Sequence, residues 1–331
     1  GVDGLKAPRI PLYMGNSGTG MRLLTGVLAG QKFDSQLLGD ESLNQRPMQR
    51  ISEPLSKLGA NIKLTSGENP PVNIFGNKLN GARYNMKIAS AQIKSCLLLA
   101  GIYAKDTTSV TEPAPCRDHT ERMLKGFGYP VTRDKAKGEI TILGGGRLTA
   151  ANVEVPADIS SASFFMVATA ISRIGEIKLN HVGINPTRTG ILSLLSLMGA
   201  NIKIENKREI GGEPVGDITV RSSVLNAINV PTELIAVSID EFPIFCVAAA
   251  CAEGTTLLRG AEELRVKESD RIEAMAAGLR KLGIKVQTFA DGLQIEGGVL
   301  KGGEVDSYSD HRIAMAFVVA GLRASGPILV K

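Results

Sequence analysis

Leu58-Gly59-Ala60-Asn61-Ile62-Lys63 decides the fold of this chain, because it recurs as Met198-Gly199-Ala200-Asn201-Ile202-Lys203 with a single substitution. Leu282-Gly283-Ile284-Lys285 is a third, shorter version. In each copy the glycine follows an amphipathic stretch and precedes a β-rich one, as a glycine does when it ends a helix and leads into a strand. The chain is therefore predicted to consist of repeated helix–strand units.

Two kinds of predicted helix alternate along the chain. Long, almost wholly apolar helices follow residues that cap helices well, and their starts are Asn16–Thr19, Ser90–Gln92, Ser160–Ala162, Asp240–Pro243 and Ser309–Arg312. Shorter amphipathic helices end at Gly59, Gly128, Gly199 and Gly283. Successive helices of one kind are roughly seventy residues apart, which we take as the length of one unit.

The apolar stretches set the expected architecture. Cys96–Ala104 and Ile244–Ala252 are hydrophobic on all sides, and such a helix lies in a domain interior. We therefore expect an inside-out α/β fold with helices in the middle, a first lobe of residues 1–156 and a second lobe of residues 157–331. Both ends look cut, since three units per lobe would require another unit before the first residue and another short helix after the last.

The composition of the chain favours a protein that acts on small acidic molecules over one that binds nucleic acid or spans a membrane. The length of 331 residues is enough for two domains, and a net charge of +5 with 4% aromatic residues suits small acidic substrates better than nucleic acid. The longest apolar run is too short to cross a bilayer, and no signal peptide is evident. The four cysteines lack zinc spacing, so we expect reduced thiols in a cytoplasmic protein.

Basic residues recur where the short helices are expected to begin. Cations at a helix N-terminus oppose the helix dipole by up to about 1 kcal/mol, so their repetition suggests bound anions. Pairing with nearby acids is the alternative for each one taken singly. The segments concerned are Asn44–Pro47, Cys116–Thr120, Asn185–Arg188 and Lys267–Arg271.

Three further features bear on chemistry. Gly15–Gly20 contains three glycines before a helix, so a phosphate or carboxylate could approach the backbone there, although the loop lacks the Walker sequence. Asp240 is either a plain helix cap or a functional carboxylate. Glu268 lies between Lys267 and Ser269, where it could shuttle a proton beside a bound anion or simply be solvated. The three histidines are scattered, and no hydrolase triad or metal set is evident.

Taken together, these motifs make the chain resemble the EPSP synthases (5-enolpyruvylshikimate-3-phosphate synthases). Within that family it resembles the class II enzymes found in bacteria. The resemblance runs from about Leu5 to the last residue. The motifs are, in order, Gly15–Arg22, Gln45–Met48, Ala89–Ser95, Arg117–Glu121, Asn185–Gly190, Asp240–Pro243, Leu264–Arg271 and Ser309–Ala314. Eight motifs in order over one chain form a highly specific pattern.

The resemblance implies two lobes of βαβαββ units that close on the substrates. It implies transfer of the enolpyruvyl group of phosphoenolpyruvate to the 5-hydroxyl of shikimate 3-phosphate, with release of phosphate, by a monomer that needs no cofactor. It also implies sensitivity to glyphosate, because Gly18 stands where alanine gives tolerance in some relatives.

The same resemblance assigns roles to individual residues. Shikimate 3-phosphate would be held by Ser90, Ala91, Gln92, Arg117, Asp240 and Lys267. Phosphoenolpyruvate would be held by Gly18, Arg46, Gln92, Arg271 and Arg312. Asp240 would accept the proton of the attacking hydroxyl, Glu268 would exchange the proton at the methylene carbon, and Lys267 completes the catalytic set.

Three alternatives to the EPSP synthases have some support in the sequence. UDP-N-acetylglucosamine enolpyruvyl transferase uses a loop cysteine, and Cys116 is the loop cysteine here, although the residues after it match the EPSP synthases. An RNA 3′-phosphate cyclase needs a nucleophilic histidine, but His311 lies in a motif that fits the EPSP synthases better. A non-enzymatic alternative is that the chain is a non-catalytic, anion-binding fragment, and only the apparent cut ends of the chain favour it.

Overall fold

The computed structural model describes residues 4–65 and 67–331. The chain divides into two compact units, the first ending at Val153 and the second running from Glu154 to Lys331. The sequence placed the boundary three residues later, after residue 156. No helix within the described residues is both long enough and apolar enough to cross a membrane.

The first unit contains two copies of one pattern. Its strands are β1 (Leu12–Tyr13), β2 (Ser35–Leu38), β3 (Asn61–Thr65), β4 (Asn69–Phe75), β5 (Arg83–Asn85), β6 (Thr107–Thr111), β7 (Val131–Asp134) and β8 (Glu139–Leu143). Its helices are α1 (Gly18–Ala29), α2 (Glu41–Asn44), α3 (Gln49–Lys57), α4 (Ala91–Gly101) and α5 (His119–Gly126). The two sheets have the orders β1-β2-β4-β3 and β5-β6-β8-β7. In each, the first pair is parallel and the other pairs are antiparallel, so each copy reads βαβαββ.

The second unit repeats the pattern with its first strand reduced. Its strands are β9 (Glu176–Gly183), β10 (Asn201–Ile210), β11 (Glu213–Arg221), β12 (Thr255–Leu258), β13 (Lys285–Phe289), β14 (Gly292–Glu296), β15 (Gly303–Val305) and β16 (Ile328–Val330). Its helices are α6 (Ile159–Ile171), α7 (Gly190–Leu197), α8 (Ile235–Ser238), α9 (Phe242–Ala250), α10 (Arg271–Lys281) and α11 (His311–Ala320), with 3₁₀-helices at Thr232–Leu234 and Glu262–Val266.

The sheets of the second unit have the orders β10-β11-β9, β12-β14-β13 and β15-β16. Single parallel bridges stand where the first strand of a copy would lie, at Ala157 beside β9 and at Asn226 and Asn229 beside β12. The pair β15–β16 is parallel, like β1–β2. The repeat predicted from the sequence is thus present, with a weakened first strand in its third and fourth copies.

Helices fill the interior of each unit. Every residue of α9 is buried, and the rings of Phe242 and Phe245 meet edge to face at 5.8 Å. Strand β4 alternates buried and half-buried residues along its length, as a strand with one face on the core does. The inside-out α/β prediction is therefore confirmed.

The glycines after the short helices adopt the backbone that the sequence predicted. Gly59, Gly128, Gly199 and Gly283 have φ values of +88°, +71°, +87° and +87°. Residues with a side chain rarely adopt these angles, whereas glycine does so at little cost, and the chain can turn at once from helix to strand.

Of the five helix starts, one is capped by the residue that was expected to cap it, Ser90 on α4. The caps of α1 and α11 are Ser17 and Asp310, each one residue after the residue that opens the predicted start. For α6 the cap is Asp158, which accepts from Ser161 N at 3.0 Å. Asp240 lies one residue before the cap position of α9, in the turn that follows α8. Its interpretation as a plain helix cap is therefore excluded.

The basic residues at the short helices are also displaced from the expected positions. Arg46 precedes α3, Arg117 precedes α5 and Arg188 precedes α7, whereas Arg271 is itself the first residue of α10. The helix dipole acts mainly within the first turn. Opposition to the dipole is therefore a smaller effect than the sequence suggested for three of these four cations.

Candidate active site

The start of α1 in the first unit is surrounded by arginines. Arg46 donates from Nη2 to Asn16 Oδ1 at 2.9 Å, and Asn16 donates in turn to Asp40 Oδ2 at 2.8 Å. A Cβ placed on Gly18 would lie 3.4 Å from Arg46 Nη1. Burial, with repulsion from Arg46 and Arg50, lowers the pKa of Arg22. This excess of positive charge suits an anion.

Arg22 joins α1 to α4. Its Nη1 donates to Gln92 Oε1 at 2.6 Å, and Gln92 Nε2 donates to Thr19 Oγ1 at 2.7 Å. Three residues predicted to hold phosphoenolpyruvate, Gly18, Arg46 and Gln92, are thus brought together. Arg22 itself received no role from the sequence, although it closes the quoted Gly15–Arg22 motif.

The start of α4 carries three of the residues that were predicted to bind shikimate 3-phosphate. Ser90 caps the helix by accepting from Ile93 N at 3.4 Å, and Ala91 and Gln92 are its first two residues. Arg117 is half-buried in the segment between β6 and α5. Thr120 Oγ1 on α5 donates to Ser95 Oγ on α4 at 2.7 Å, so this segment is docked beside the helix that carries Ser90.

In the second unit, Arg271 is the centre of the candidate site. Only 2% of it is exposed. It donates from Nε to Asp310 Oδ2 at 2.8 Å and from Nη2 to Glu268 Oε2 at 2.7 Å, and its Nη1 lies 3.8 Å from Asp240 Oδ1. Its Nη1 makes no hydrogen bond among the described residues. One guanidinium thus links both predicted catalytic carboxylates and keeps a donor free.

Asp310 received no role from the sequence. It is fully buried, accepts from Arg312 N at 2.9 Å as the cap of α11, and accepts from Ser269 Oγ at 3.1 Å. Burial alone would raise the pKa of Asp310, but the hydrogen bond and charge of Arg271 outweigh it and hold the pKa below the ordinary value. A buried ionised carboxylate therefore fixes the guanidinium of Arg271.

Arg312 and Glu241 extend this group. Arg312 Nη1 donates to the backbone oxygen of Asp240 at 3.0 Å and lies 3.9 Å from Glu241 Oε1. Glu241 is 1% exposed and accepts a short hydrogen bond from Ser160 Oγ, which also accepts from Arg188 Nη2 at 2.6 Å. Desolvation raises the pKa of Glu241, and Asp240 adds to the effect.

Lys267 is paired with a carboxylate outside the predicted site. Its Nζ donates to Glu263 Oε1 at 2.6 Å, within the turn formed by the 3₁₀-helix. Asp240, Glu268, Arg271 and Arg312 are therefore gathered by the structure, whereas Lys267 is engaged with an exposed carboxylate that the sequence did not single out.

Part of the electrostatic interpretation needs correction. For Arg188 and Arg271 the alternative of nearby acids is realised, because Arg188 pairs with Asp158 at 2.9 Å and Arg271 pairs with Asp310 and Glu268. Bound anions are therefore not required to explain those cations. Around Arg22 and Arg46 the excess positive charge remains, so the argument for an anion there stands.

Cys116 does not have the properties of a loop nucleophile. It is 7% exposed, and desolvation with the nearby charge of Glu112 raises its pKa to about 11. A thiolate, which is the nucleophilic form, is thus scarce at neutral pH. Among the described residues no cluster of histidine, cysteine and acidic side chains could hold a metal ion.

Repeated, helix-filled βαβαββ units with arginines and carboxylates at the helix starts define the enolpyruvyl transferase class. The family model described as EPSP synthase (3-phosphoshikimate 1-carboxyvinyltransferase) matches residues 2–331. This chain belongs to the EPSP synthase family, and the resemblance found in its motifs is confirmed.

Relatives support the same assignment. The 3-phosphoshikimate 1-carboxyvinyltransferase of Nitrosococcus oceani is 58% identical over 331 residues, covering 100% of this chain and 74% of the relative. That of Methylococcus capsulatus is 57% identical over 99% of this chain and 75% of the relative. A solved structure of EPSP synthase from Acinetobacter baumannii is 53% identical, with a TM-score of 0.90, over 100% of this chain and 76% of that one.

Proposed function

We propose that this chain transfers the enolpyruvyl group of phosphoenolpyruvate to the 5-hydroxyl of shikimate 3-phosphate and releases phosphate. Membership of the family supports the reaction. The observation that carries the assignment of residues is Arg271, which contacts Asp240 at 3.8 Å and Glu268 at 2.7 Å. Its Nη1 makes no hydrogen bond within the part of the chain that the structure describes, so a buried donor is left for a substrate between a proposed proton acceptor and a proposed proton donor.

The first unit supplies binding groups for both substrates in this proposal. Ser90, Ala91 and Gln92 at the start of α4 bind shikimate 3-phosphate, and Arg117 binds its phosphate. Gly18, Arg46 and Gln92 bind phosphoenolpyruvate. Burial, with repulsion from Arg46 and Arg50, lowers the pKa of Arg22, and the concentration of positive charge supports an anion beside the residues proposed to bind phosphoenolpyruvate.

The second unit supplies the proton-transfer groups. As the hydroxyl oxygen bonds to the central carbon of phosphoenolpyruvate, Asp240 accepts the hydroxyl proton and Glu268 delivers a proton to the methylene carbon. Glu268 then removes a proton from the resulting methyl group, the double bond re-forms and phosphate leaves. Arg271 and Arg312 stabilise the charge on the departing phosphate.

Lys267 has to change partners to fulfil its proposed role. Its ammonium is held by Glu263, whose side chain is 63% exposed. An exposed ion pair contributes only about 0–1 kcal/mol, so an anionic substrate can compete for the lysine. We propose that Lys267 leaves Glu263 and contacts the shikimate moiety.

Phosphate release tests the reaction. The parent protein should release phosphate only when both substrates are present, and Asp240→Asn should reduce kcat by at least about 100-fold, the usual contribution of a general base. Asp291→Asn is the matched control, because Asp291 pairs with Arg259 at 2.8 Å in an exposed turn of the same unit. Release that needs one substrate alone, or equal activity of the two variants, refutes the proposal.

A separate measurement isolates Glu268. Incubation in heavy water should place deuterium in the methylene group of phosphoenolpyruvate when shikimate 3-phosphate is present. Glu268→Gln should lose this exchange while still binding shikimate 3-phosphate. Exchange at the parent rate in that variant would assign the proton transfer to another group.

We also propose that the protein works as a monomer in the cytoplasm. The four cysteines form no disulfide, which agrees with a reducing compartment. Sedimentation equilibrium of the full-length protein and fractionation of cells that produce it test the two statements separately. A dimer mass or recovery with the membrane fraction would contradict them.

A further inference from the structure

A buried ionic cluster lies behind the shikimate 3-phosphate residues of the first unit. Lys94, the fourth residue of α4, is 0% exposed. Its Nζ lies 2.5 Å from Glu112 Oε1 and 2.6 Å from Glu121 Oε1. Arg133 Nη2 donates to Glu112 Oε2 at 3.1 Å, so Glu112 is held from two sides.

The two carboxylates stand at opposite ends of the segment that carries Arg117. Glu112 directly follows β6, and Glu121 is the third residue of α5. Residues 113–118 between them form neither helix nor strand. A single ammonium therefore fastens both ends of this segment to α4.

We propose that Lys94 is a positioning residue, which sets Arg117 at the correct distance from Ser90 for a phosphate ester. Lys94 and Ser90 belong to the same helix start, so one rigid element carries both the direct contact and the anchor of the arginine. The inference rests on the function proposed above, since it assumes that this group binds shikimate 3-phosphate.

Stability alone does not explain such a cluster. Burying an ion pair costs so much desolvation that apolar residues of similar volume are often as stabilising or more so. What a charged cluster adds is direction, because one oxygen of Glu112 and one oxygen of Glu121 have to meet the same ammonium.

The other side of α4 is fixed independently. Gln92 is held by Arg22 at 2.6 Å and by Thr19 at 2.7 Å, and neither contact involves Lys94. Loss of the lysine should therefore misplace Arg117 while leaving the residues proposed to bind phosphoenolpyruvate in place.

The experiment compares the affinity for each substrate. In Lys94→Met we expect the Kd for shikimate 3-phosphate, measured by calorimetry without phosphoenolpyruvate, to rise about 10- to 100-fold, the loss expected for a charge-assisted hydrogen bond. The KM for phosphoenolpyruvate, measured at saturating shikimate 3-phosphate, should change less than about 3-fold. Lys105→Met, an exposed lysine of the same unit, is the charge control and should match the parent.

Two further variants separate positioning from stability. Val72→Ala removes two methyl groups from a fully buried side chain of β4 in the other sheet and lowers stability through the cavity it leaves, without touching the cluster. The triple variant Lys94→Met/Glu112→Gln/Glu121→Gln removes the ammonium together with both carboxylates that it holds, and Arg133, which is partly exposed, keeps Asp118 at 3.9 Å, so the variant should regain thermal stability but not affinity. If Val72→Ala lost as much affinity for shikimate 3-phosphate as Lys94→Met does, or if the triple variant regained that affinity, the positioning role would be overturned. A parent that binds no shikimate 3-phosphate would instead refute the proposed function.

Discussion

Asp310→Asn tests the buried pair on which the second-unit site depends. The carboxylate uses Oδ1 to cap α11 through Arg312 N at 2.9 Å, and Oδ2 to accept from Arg271 Nε at 2.8 Å and Ser269 Oγ at 3.1 Å. An asparagine oxygen can replace one of these acceptors. The amide NH₂ then faces donors, and Arg271 loses a charged partner in the interior.

The expected cost follows from this geometry. Removing one partner of a buried pair costs about 3–5 kcal/mol, and the retained contact between Arg271 and Glu268 places the loss near the lower end, at about 3 kcal/mol. With an unfolding entropy of about 2.1 cal/mol/K per residue over the second unit, that loss lowers Tm by roughly 8 °C. Ser269→Ala removes one hydrogen bond to the same oxygen and should lower Tm by roughly 3 °C.

The pH dependence sharpens the test. Arg271 holds the pKa of Asp310 below its ordinary value of 3.8, so the pair stabilises the fold above that pH and the effect is lost as pH falls through the depressed pKa. Calorimetry should therefore show the full difference in Tm from about pH 5 to pH 8 and a smaller one below about pH 4. A drop no larger than that of Ser269→Ala, or one independent of pH, would refute the reasoning.

Three further outcomes are expected. Gly18→Ala places a methyl 3.4 Å from Arg46 Nη1, so steady-state kinetics should show a KM for phosphoenolpyruvate raised about 3- to 10-fold and a weaker inhibition by glyphosate. The parent should be inhibited by glyphosate, and full turnover of the parent in excess glyphosate would contradict that expectation. Burial raises the pKa of Glu241, so the parent loses stability as pH rises from the ordinary 4.5 through the raised pKa. Thermal scans of Glu241→Gln should therefore show a Tm gain over the parent that grows as pH rises above about 4.5, and a gain that is the same at every pH would argue against a buried charge. Gly278→Ala brings a Cβ within 2.1 Å of Phe317 Cζ and should cost about 1–3 kcal/mol in urea unfolding, partly restored by Phe317→Leu; an unchanged midpoint would show that the ring can move aside.

Much of the fold was readable because the features that specify it are local. All-apolar helices, amphipathic helices and glycines that end them leave periodic patterns in a short window. The helix start at Asp240 was misread because α8 is a four-residue helix with no period of its own, so the turn after it resembled a capping segment. The reduced first strands of the third and fourth copies left no alternating pattern to detect.

The candidate site was likewise predictable only where its features are local in the sequence. Its residue types were readable from motifs, and Arg22, Lys94, Glu241 and Asp310 all lie inside motifs that had been quoted. Their roles were not readable, because each depends on a partner distant in the chain. Arg271 and Asp310 are 39 residues apart in sequence, and no spacing rule joins them.

The lysine that closes each repeated motif has a consequence for self-association. Lys63, Lys203 and Lys285 lie on β3, β10 and β13, each the outermost strand of its sheet, and all three are exposed. An outermost strand has unpaired backbone groups that can recruit a strand from another molecule, and a charged side chain makes that recruitment costly. Three copies of the unit thus contain their own safeguard against fibrous aggregation, at the end of the same short sequence that turns the helix into a strand.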